Sequence, residues 1–284
     1  MAKRVLERYQ EIERSILTTY RGKLWAPFVR AIKEYELIKP GDKICVCISG
    51  GKDSNLMAKL IEELHKHSDF PFEVKYLVMN PGYSDYNLEV IKNNLKTLNI
   101  NAEIVETDIY EIAHQQLSGG CYLCAKMRRG ALYRIAKDMG CNKIALGHHY
   151  DDVIQTILMN MLNAGSFQTM MPKLHSDNYE GMELIRPLYL IREKDIIAWQ
   201  KYNNLTFIRC ACRFEEQSCS TDENSLSQRK NTKNLIDNLK KNYNENVEKN
   251  IFAAASNVNL DKIIMYKTGK TAHNFLDEYD KDEK

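Results

Sequence analysis

The sequence has no stretch approaching ~20 uninterrupted apolar residues, which excludes an ordinary membrane-spanning helix. Its opening, Met1-Ala2-Lys3-Arg4 leading into Glu7, Arg8, Glu11 and Glu13, holds no apolar segment of the signal-peptide kind, so a cytoplasmic location is expected. Net charge is scarce as well. Forty Lys and Arg against 38 Asp and Glu leave +2, too little to argue nucleic-acid binding by the chain as a whole. No internal repeat and no low-complexity linker divides the 284 residues, and 44% hydrophobic with 27% charged residues describes a globular protein, long enough for one good core plus appendages or for two small domains.

Cysteine, by contrast, is not scarce. Eight cysteines in a chain expected in the cytoplasm point to metal or redox chemistry before a disulfide framework. Charge is concentrated locally too: across residues 226–241, Arg229, Lys230, Lys233, Lys240 and Lys241 face only Asp237, five minus one giving +4. A basic helix there is a solvated face or a contact for an RNA backbone. The last eight residues, from Asp277, are acidic and read as a solvated tail.

The stretch around which the chain is organised is Ser49-Gly50-Gly51-Lys52-Asp53-Ser54, between the apolar run Ile44–Ile48 and a helical pattern beginning at Asn55. A strand turning through two glycines into a helix leaves backbone N–H groups pointing at whatever lies above the strand end, a seat for phosphate. Gly50 and Gly51 permit close backbone approach, Ser49 and Ser54 add hydroxyls, and Lys52 adds a cation. Asp53 does not suit bare anion binding and is expected to hold a divalent metal, Mg2+, that touches the phosphates. The four-residue spacer and Gly-Lys-Ser/Thr ending of the Walker loop are missing.

The rest of the pattern alternates strand and helix. Residues 1–36 predict two helices with a bend at Gly22 and Pro27; strands are expected at 43–48, 72–79, 102–106 and 141–146, with helices at about 54–67, 85–98, 153–163 and 193–202. This order implies an α/β fold, a parallel doubly wound sheet covered on both faces, whose ligands bind beyond the carboxyl ends of the strands. Residues 166–190 read as a loop with a short hairpin, and two helices are expected over 223–241 and 245–255. The expected organisation is N-terminal helices over 1–39, a core over 40–215, and a helical C-terminal extension over 216–284.

Two further clusters fall at the same sheet edge. Cys121-Tyr122-Leu123-Cys124 opens a helix carrying Lys126, Arg128, Arg129, Arg134 and Lys137; spaced by three, its thiols share one face and serve as metal ligands, a redox pair or buried thiols. Gly147-His148-His149-Tyr150-Asp151-Asp152 leaves the fourth strand, and its aspartates could orient a metal or a base. Cys45, Cys47 and Cys141 read as core thiols, Cys219 has no assigned role, and His65, His67, His114, His175 and His273 read as surface residues.

Together Ser49–Ser54, Cys121-x-x-Cys124 with Ala125-Lys126-Met127-Arg128-Arg129-Gly130, Gly147–Asp152 and the late Cys210 resemble the tRNA 2-thiocytidine synthetase (TtcA) family of PP-loop sulfurtransferases, over roughly residues 40–215. The resemblance implies an ATP-dependent tRNA sulfurtransferase that adenylates the C2 oxygen of a cytidine, at position 32, and replaces it with sulfur. It implies a 4Fe-4S cluster on Cys121, Cys124 and Cys210. The family pattern has a second cysteine three residues after the late one, whereas this chain has Cys210-Ala211-Cys212, which makes Cys212 the alternative third ligand. ATP would be held by Ser49, Gly50, Gly51, Lys52, Asp53 and Ser54 with Met79 and Gly147. Lys52, Asp53, Asp151, Asp152 and Arg128 would carry catalysis. Implied partners are tRNA and an external sulfur donor such as a cysteine desulfurase, and the apolar N-terminal helices leave a homodimer open. The competing reading makes Cys121, Cys124, Cys210 and Cys212 a structural zinc site in an adenylating ligase.

Overall fold

A computed structural model describes residues 5–115, 120–208, 228–277 and 279, with the side chains of residues 114, 115 and 120–122 left out. These residues form two compact units. One is the chain up to Val153 with residues 170–208; the other is Ile154–Thr169 with the residues from 228 onward. No helix among the described residues is long and apolar enough to cross a membrane.

The first unit is built on β1 (Lys43–Cys47), β2 (Glu73–Asn80), β3 (Ala102–Glu106), β4 (Lys143–Ala145), β5 (Lys173–His175) and β6 (Glu183–Ile185), in the spatial order β3-β2-β1-β4-β6-β5. Every pairing is parallel except β5 with β6. The expected hairpin therefore exists, but its second strand joins the main sheet beside β4 and its first becomes an antiparallel edge. β1 is central and without exposed apolar positions, as a strand covered on both faces requires: Ile44, Cys45 and Val46 are fully buried.

The chain winds outward from β1 through β2 to β3, then returns to place β4 on the other side of β1. That reversal opens a crevice at the carboxyl ends of β1 and β4. Two helices start there, α3 (Lys52–His67) after β1 and α7 (Tyr150–Ala164) after β4. The intervening helices are α4 (Asp85–Leu98), α5 (Ile109–Gln115) and α6 (Gly120–Asp138), and α8 (Glu193–Tyr202) follows β6.

The N-terminal segment folds as α1 (Arg8–Leu17), a π-helical turn at Arg21–Trp25 and α2 (Ala26–Glu34), so the expected bend is a change of helical pitch around Gly22 with Pro27 in the first turn of α2. Its apolar positions Ile12, Ile16, Leu24 and Phe28 are fully buried, α1 packing on α3 and α4 and the π turn on α8. Trp199 of α8, also fully buried, donates its indole N–H to Ser15 Oγ at 3.2 Å. These faces are thus spent within the chain.

A feature without sequence warning lies beneath them. Lys59 of α3 is wholly buried, donating to Glu13 Oε1 of α1 at 2.6 Å, to Glu62 one turn on, and to the Leu98 carbonyl ending α4 at 2.9 Å. One ammonium joins three helices.

The second unit holds the helices Gln228–Asn242 and Val247–Ala254, bridged by Lys240 Nζ to Glu248 Oε2 at 2.6 Å. A hairpin of β7 (Met265–Thr268) and β8 (Thr271–Asn274), turning at Gly269 with φ +62°, adds strand to an extension expected to be helical throughout.

Candidate active site

The loop after β1 takes the form its residues require. Gly50 sits at φ +83°, and a Cβ there would come within 2.6 Å of Ile91 and 2.7 Å of Ile208, so both conformation and space demand glycine. Gly51 caps α3, whose first intrahelical bond runs from Asn55 N to the Gly51 carbonyl at 3.3 Å. The amides of Lys52, Asp53 and Ser54 precede that bond, at the positive end of the helix dipole. Ser54, buried, ties the loop together: its hydroxyl accepts from the Ser49 amide at 3.1 Å and donates to the Gly51 carbonyl at 3.1 Å.

The loop after β4 lies directly against this turn. A Cβ on Gly147 would meet the Ser54 amide nitrogen at 3.0 Å and the Asp53 carbonyl carbon at 3.2 Å. Both neighbours are backbone.

A cavity of about 370 Å³ opens over this junction. Ser49, Asp53, Ser54, Gly147 and Asp152 line its polar side; Ile48, Met79, Leu132 and Leu146 its apolar side; and Arg128 and Arg129 of α6 bring cations. Apolar walls beside paired guanidinium groups and a helix start suit a nucleotide, with base against the former and phosphates against the latter. Tyr83, absent from the sequence expectation, lines it too: Asn80 Oδ1 accepts from the Tyr83 amide at 2.6 Å, and the phenol donates to the Ser49 carbonyl at 3.3 Å. Burial pushes that phenol up to about 12.

The acidic residues divide by their surroundings. Asp53 Oδ2 accepts from Lys52 Nζ at 3.2 Å, whereas its buried Oδ1 has no hydrogen-bond partner and faces His149 Nε2 at 3.8 Å. Burial raises the Asp53 carboxyl above its ordinary range, with Asp152 adding to the rise and His149 and Lys52 opposing it. A buried carboxylate oxygen left without a donor, beside a second carboxylate, is a fitting donor set for a hard divalent cation such as Mg2+. The structure separates Asp151 from Asp152. Asp151 is taken by Arg192, whose Nη2 approaches Oδ1 to 3.0 Å, and by the Glu193 amide at 2.7 Å to Oδ2. Asp152 caps its own helix, accepting from the His149 amide at 3.0 Å, and lines the cavity.

Three side chains to which the sequence reading gave no role complete the arrangement. His149 is buried among carboxylates, with Nδ1 at 3.4 Å from Asp152. Arg192 clips the start of α8 to the start of α7, and Glu193 reaches Lys52 Nζ at 3.2 Å. Burial acts to lower the Lys52 pKa, but Asp53 and Glu193 outweigh it and keep the ammonium charged. An acidic residue opening an amphipathic helix looks like an ordinary helix-dipole preference, so nothing local distinguished Glu193.

Among the described residues no group of three or more His, Cys, Asp or Glu could hold a metal ion. Cys121 and Cys124 lie in the first two turns of α6, Cys124 is buried, and the next residue, Ala125, lines the cavity. The side chain of Cys121, and Cys210, Cys212 and Cys219 altogether, lie outside the described residues. Cys45, Cys47 and Cys141 are buried as expected, although Cys47 also edges the cavity. His65, His67 and His175 are exposed; His273 is half-buried, stacked on Tyr266, and the His114 side chain lies outside the description.

A strand-turn-helix phosphate seat on the central strand, with a nucleotide-sized cavity over the switch point, defines a PP-loop nucleotide-binding protein, and residues 24–214 match the model of the PP-loop domain family. The chain belongs, within that class, to the tRNA-cytidine(32) 2-sulfurtransferase family. It is 36% identical over 233 residues to the Citrifermentans bemidjiense member, covering 81% of this chain and 88% of that one. To the Ralstonia pickettii member it is 38% identical over 237 residues, covering 81% and 70%. The fold is similar to that of a solved structure described as the U34-tRNA thiolase NcsA from Methanococcus maripaludis with its 4Fe-4S cluster, at TM-score 0.60 and 21% identity, covering 89% of this chain and 80% of that one.

Proposed function

We propose that this chain thiolates tRNA, using ATP to activate the C2 oxygen of cytidine 32 and replacing that oxygen with sulfur. The observation that carries the reading is one cavity lined by Asp53, Asp152, Arg128 and Arg129, and by Ala125, the residue that follows Cys124. The C2 oxygen attacks the α-phosphorus, the bond to the bridging oxygen breaks, and pyrophosphate leaves; sulfur at the sulfide level then attacks C2, the C2–O bond breaks, and AMP departs with that oxygen.

The chain's own residues supply the setting for both steps. The amides of the loop, Ser49, Ser54 and Lys52 bind the β- and γ-phosphates. Asp53 and Asp152 would hold Mg2+, while Asp151 fixes the neighbouring helix through Arg192. Arg128 and Arg129 offer charge at the α-phosphate, where it builds up as the adenylate forms. Met79, Leu132, Leu146 and Tyr83 wall the adenosine.

Cys121 and Cys124, with Cys210 as the third ligand, would hold a 4Fe-4S cluster. Such a cluster, when bound, supplies an iron free of protein ligands to carry the sulfur. The sulfur would come from an external donor such as a cysteine desulfurase, whose persulfide sulfur is released as sulfide by two electrons from a thiol reductant, and the exposed Arg229, Lys230 and Lys233 contact the tRNA backbone.

Mass spectrometry of tRNA nucleosides tests the reaction. A strain lacking the gene loses 2-thiocytidine and regains it on complementation; undiminished 2-thiocytidine refutes the assignment. Colour tests the cluster independently. Protein purified without oxygen is brown, with broad absorption near ~400 nm. Cys210→Ala bleaches it and Cys212→Ala does not; the reverse pattern moves the third ligand to Cys212. Colourless protein with stoichiometric zinc identifies a structural four-cysteine site instead.

A further inference from the structure

Glu193 sits where an anion-binding site should have no acid. The start of α8 is fixed by the Asp151 clip, Arg192 from the side chain at 3.0 Å and the Glu193 amide at 2.7 Å, and Arg192 also lies over the Tyr150 ring at 5.0 Å. With its backbone held there, the Glu193 carboxylate projects to Lys52 Nζ at 3.2 Å, the same distance that separates Lys52 from Asp53. One ammonium thus serves two carboxylates, and all three side chains are between a fifth and about a quarter exposed.

A second carboxylate thus sits on the lysine of the proposed polyphosphate seat. Asp53 is explained by a metal, because its inner oxygen lacks a partner and Asp152 shares its cavity. Glu193 does not line that cavity. It lines a second cavity, about 510 Å³, with Gly51, Lys52, Asp53, Gln200 and Lys201, which meets the first at Asp53. This second space has a mixed lining, with Ile197, Phe207 and Ile208 beside those polar groups, and lies on the Lys52 side of the loop; Met79, Leu132 and Leu146 do not line it.

We propose that Glu193 is a release residue: its carboxylate competes with the terminal phosphates for Lys52, so that pyrophosphate is held weakly enough to leave through the second cavity. Lys52 exchanges partners during turnover, from Glu193 to phosphate on binding and back to Glu193 as product departs. Glu193 is a positioning residue, acting on the product through Lys52. The inference rests on reading the loop as the pyrophosphate seat of ATP.

The test uses the full chain prepared without oxygen and titration calorimetry with magnesium pyrophosphate and, separately, AMP. Glu193→Gln keeps the side-chain size and the amide that donates to Asp151, and removes only the competing charge. The variant is expected to bind pyrophosphate roughly fivefold tighter, the size of one partly screened ion pair, with AMP affinity unchanged. In turnover assays it becomes more sensitive to inhibition by added pyrophosphate while KM for tRNA stays put. Unchanged or weaker pyrophosphate binding overturns the proposal, and weaker binding reassigns Glu193 to holding the metal. An equal shift for AMP overturns it in favour of a general structural role. If the unaltered chain binds neither ATP nor pyrophosphate, the parent reading of the loop fails instead.

Discussion

Asp53→Asn stops formation of AMP and pyrophosphate, lowering turnover at least about a hundredfold, without loosening the fold. Asparagine matches aspartate in shape and keeps an oxygen for Lys52, but it cannot supply the anionic donor that a magnesium ion needs. The effect on stability runs the other way. Burial raises the carboxyl in the folded chain, so the native state favours its protonated form. For a carboxyl raised above its unfolded value, the stabilising contribution is present below the unfolded pKa and is lost as pH rises through the folded pKa. At neutral pH the charged side chain is therefore a burden that the neutral asparagine removes, and the variant should melt at the wild-type temperature or above it. Pyrophosphate release in the presence of bulk tRNA and thermal denaturation measure the two sides. Turnover within about tenfold of wild type would remove Asp53 from the metal site.

Lys59→Ala gives the opposite pattern, a large loss of stability far from the nucleotide. The side chain is wholly buried and its ammonium is shared by Glu13, Glu62 and the Leu98 carbonyl. Removing it strands two acids under the N-terminal helices, and breaking a buried pair of this kind costs about 3–5 kcal/mol. In a domain of this size that lowers the melting temperature by roughly 6–20 °C. Lys66, at 3.0 Å from Glu13 and 3.4 Å from Glu62, softens the loss and sets it toward the lower end. Neutralising both acids, with Lys59→Met, Glu13→Gln and Glu62→Gln combined, should recover most of the stability. A single variant that melts within about 2 °C of wild type would mean that water, not Lys59, satisfies those carboxylates.

The contrast between these two residues explains what the sequence discloses. The bounds Asp85–Leu98 and Ala102–Glu106 of α4 and β3 agree to the residue with their periodicity, and the phosphate loop is a contiguous run in which every residue has a local task. Lys52 and Asp53 were legible because their neighbours in sequence are their neighbours in function. Lys59 was not, since its partners Glu13 and Leu98 lie 46 and 39 positions away and a lysine on a helix ordinarily faces water. Glu193 and Arg192 escaped for the same reason, being 42 and 41 positions beyond the aspartate that holds them. Asp151 and Asp152 look equivalent in sequence and are told apart by their partners, Arg192 and the Glu193 amide on the first and the His149 amide on the second. The hairpin at Met265–Thr268 and Thr271–Asn274 was missed because its strands bury little, which removes the alternation that marks a strand packed on a core.

The seam at Gly147 carries a consequence for how the molecule can adapt. With backbone pressed on backbone there and no room for even a methyl group, the turn after the first strand and the turn after the fourth behave as a single anvil. Accommodation of different guests, whether nucleotide, adenylate or RNA base, has to come from the opposite jaw. That jaw is the helix bearing Arg128 and Arg129, and drift in sequence that retunes substrate choice should accumulate along it while the anvil stays as it is.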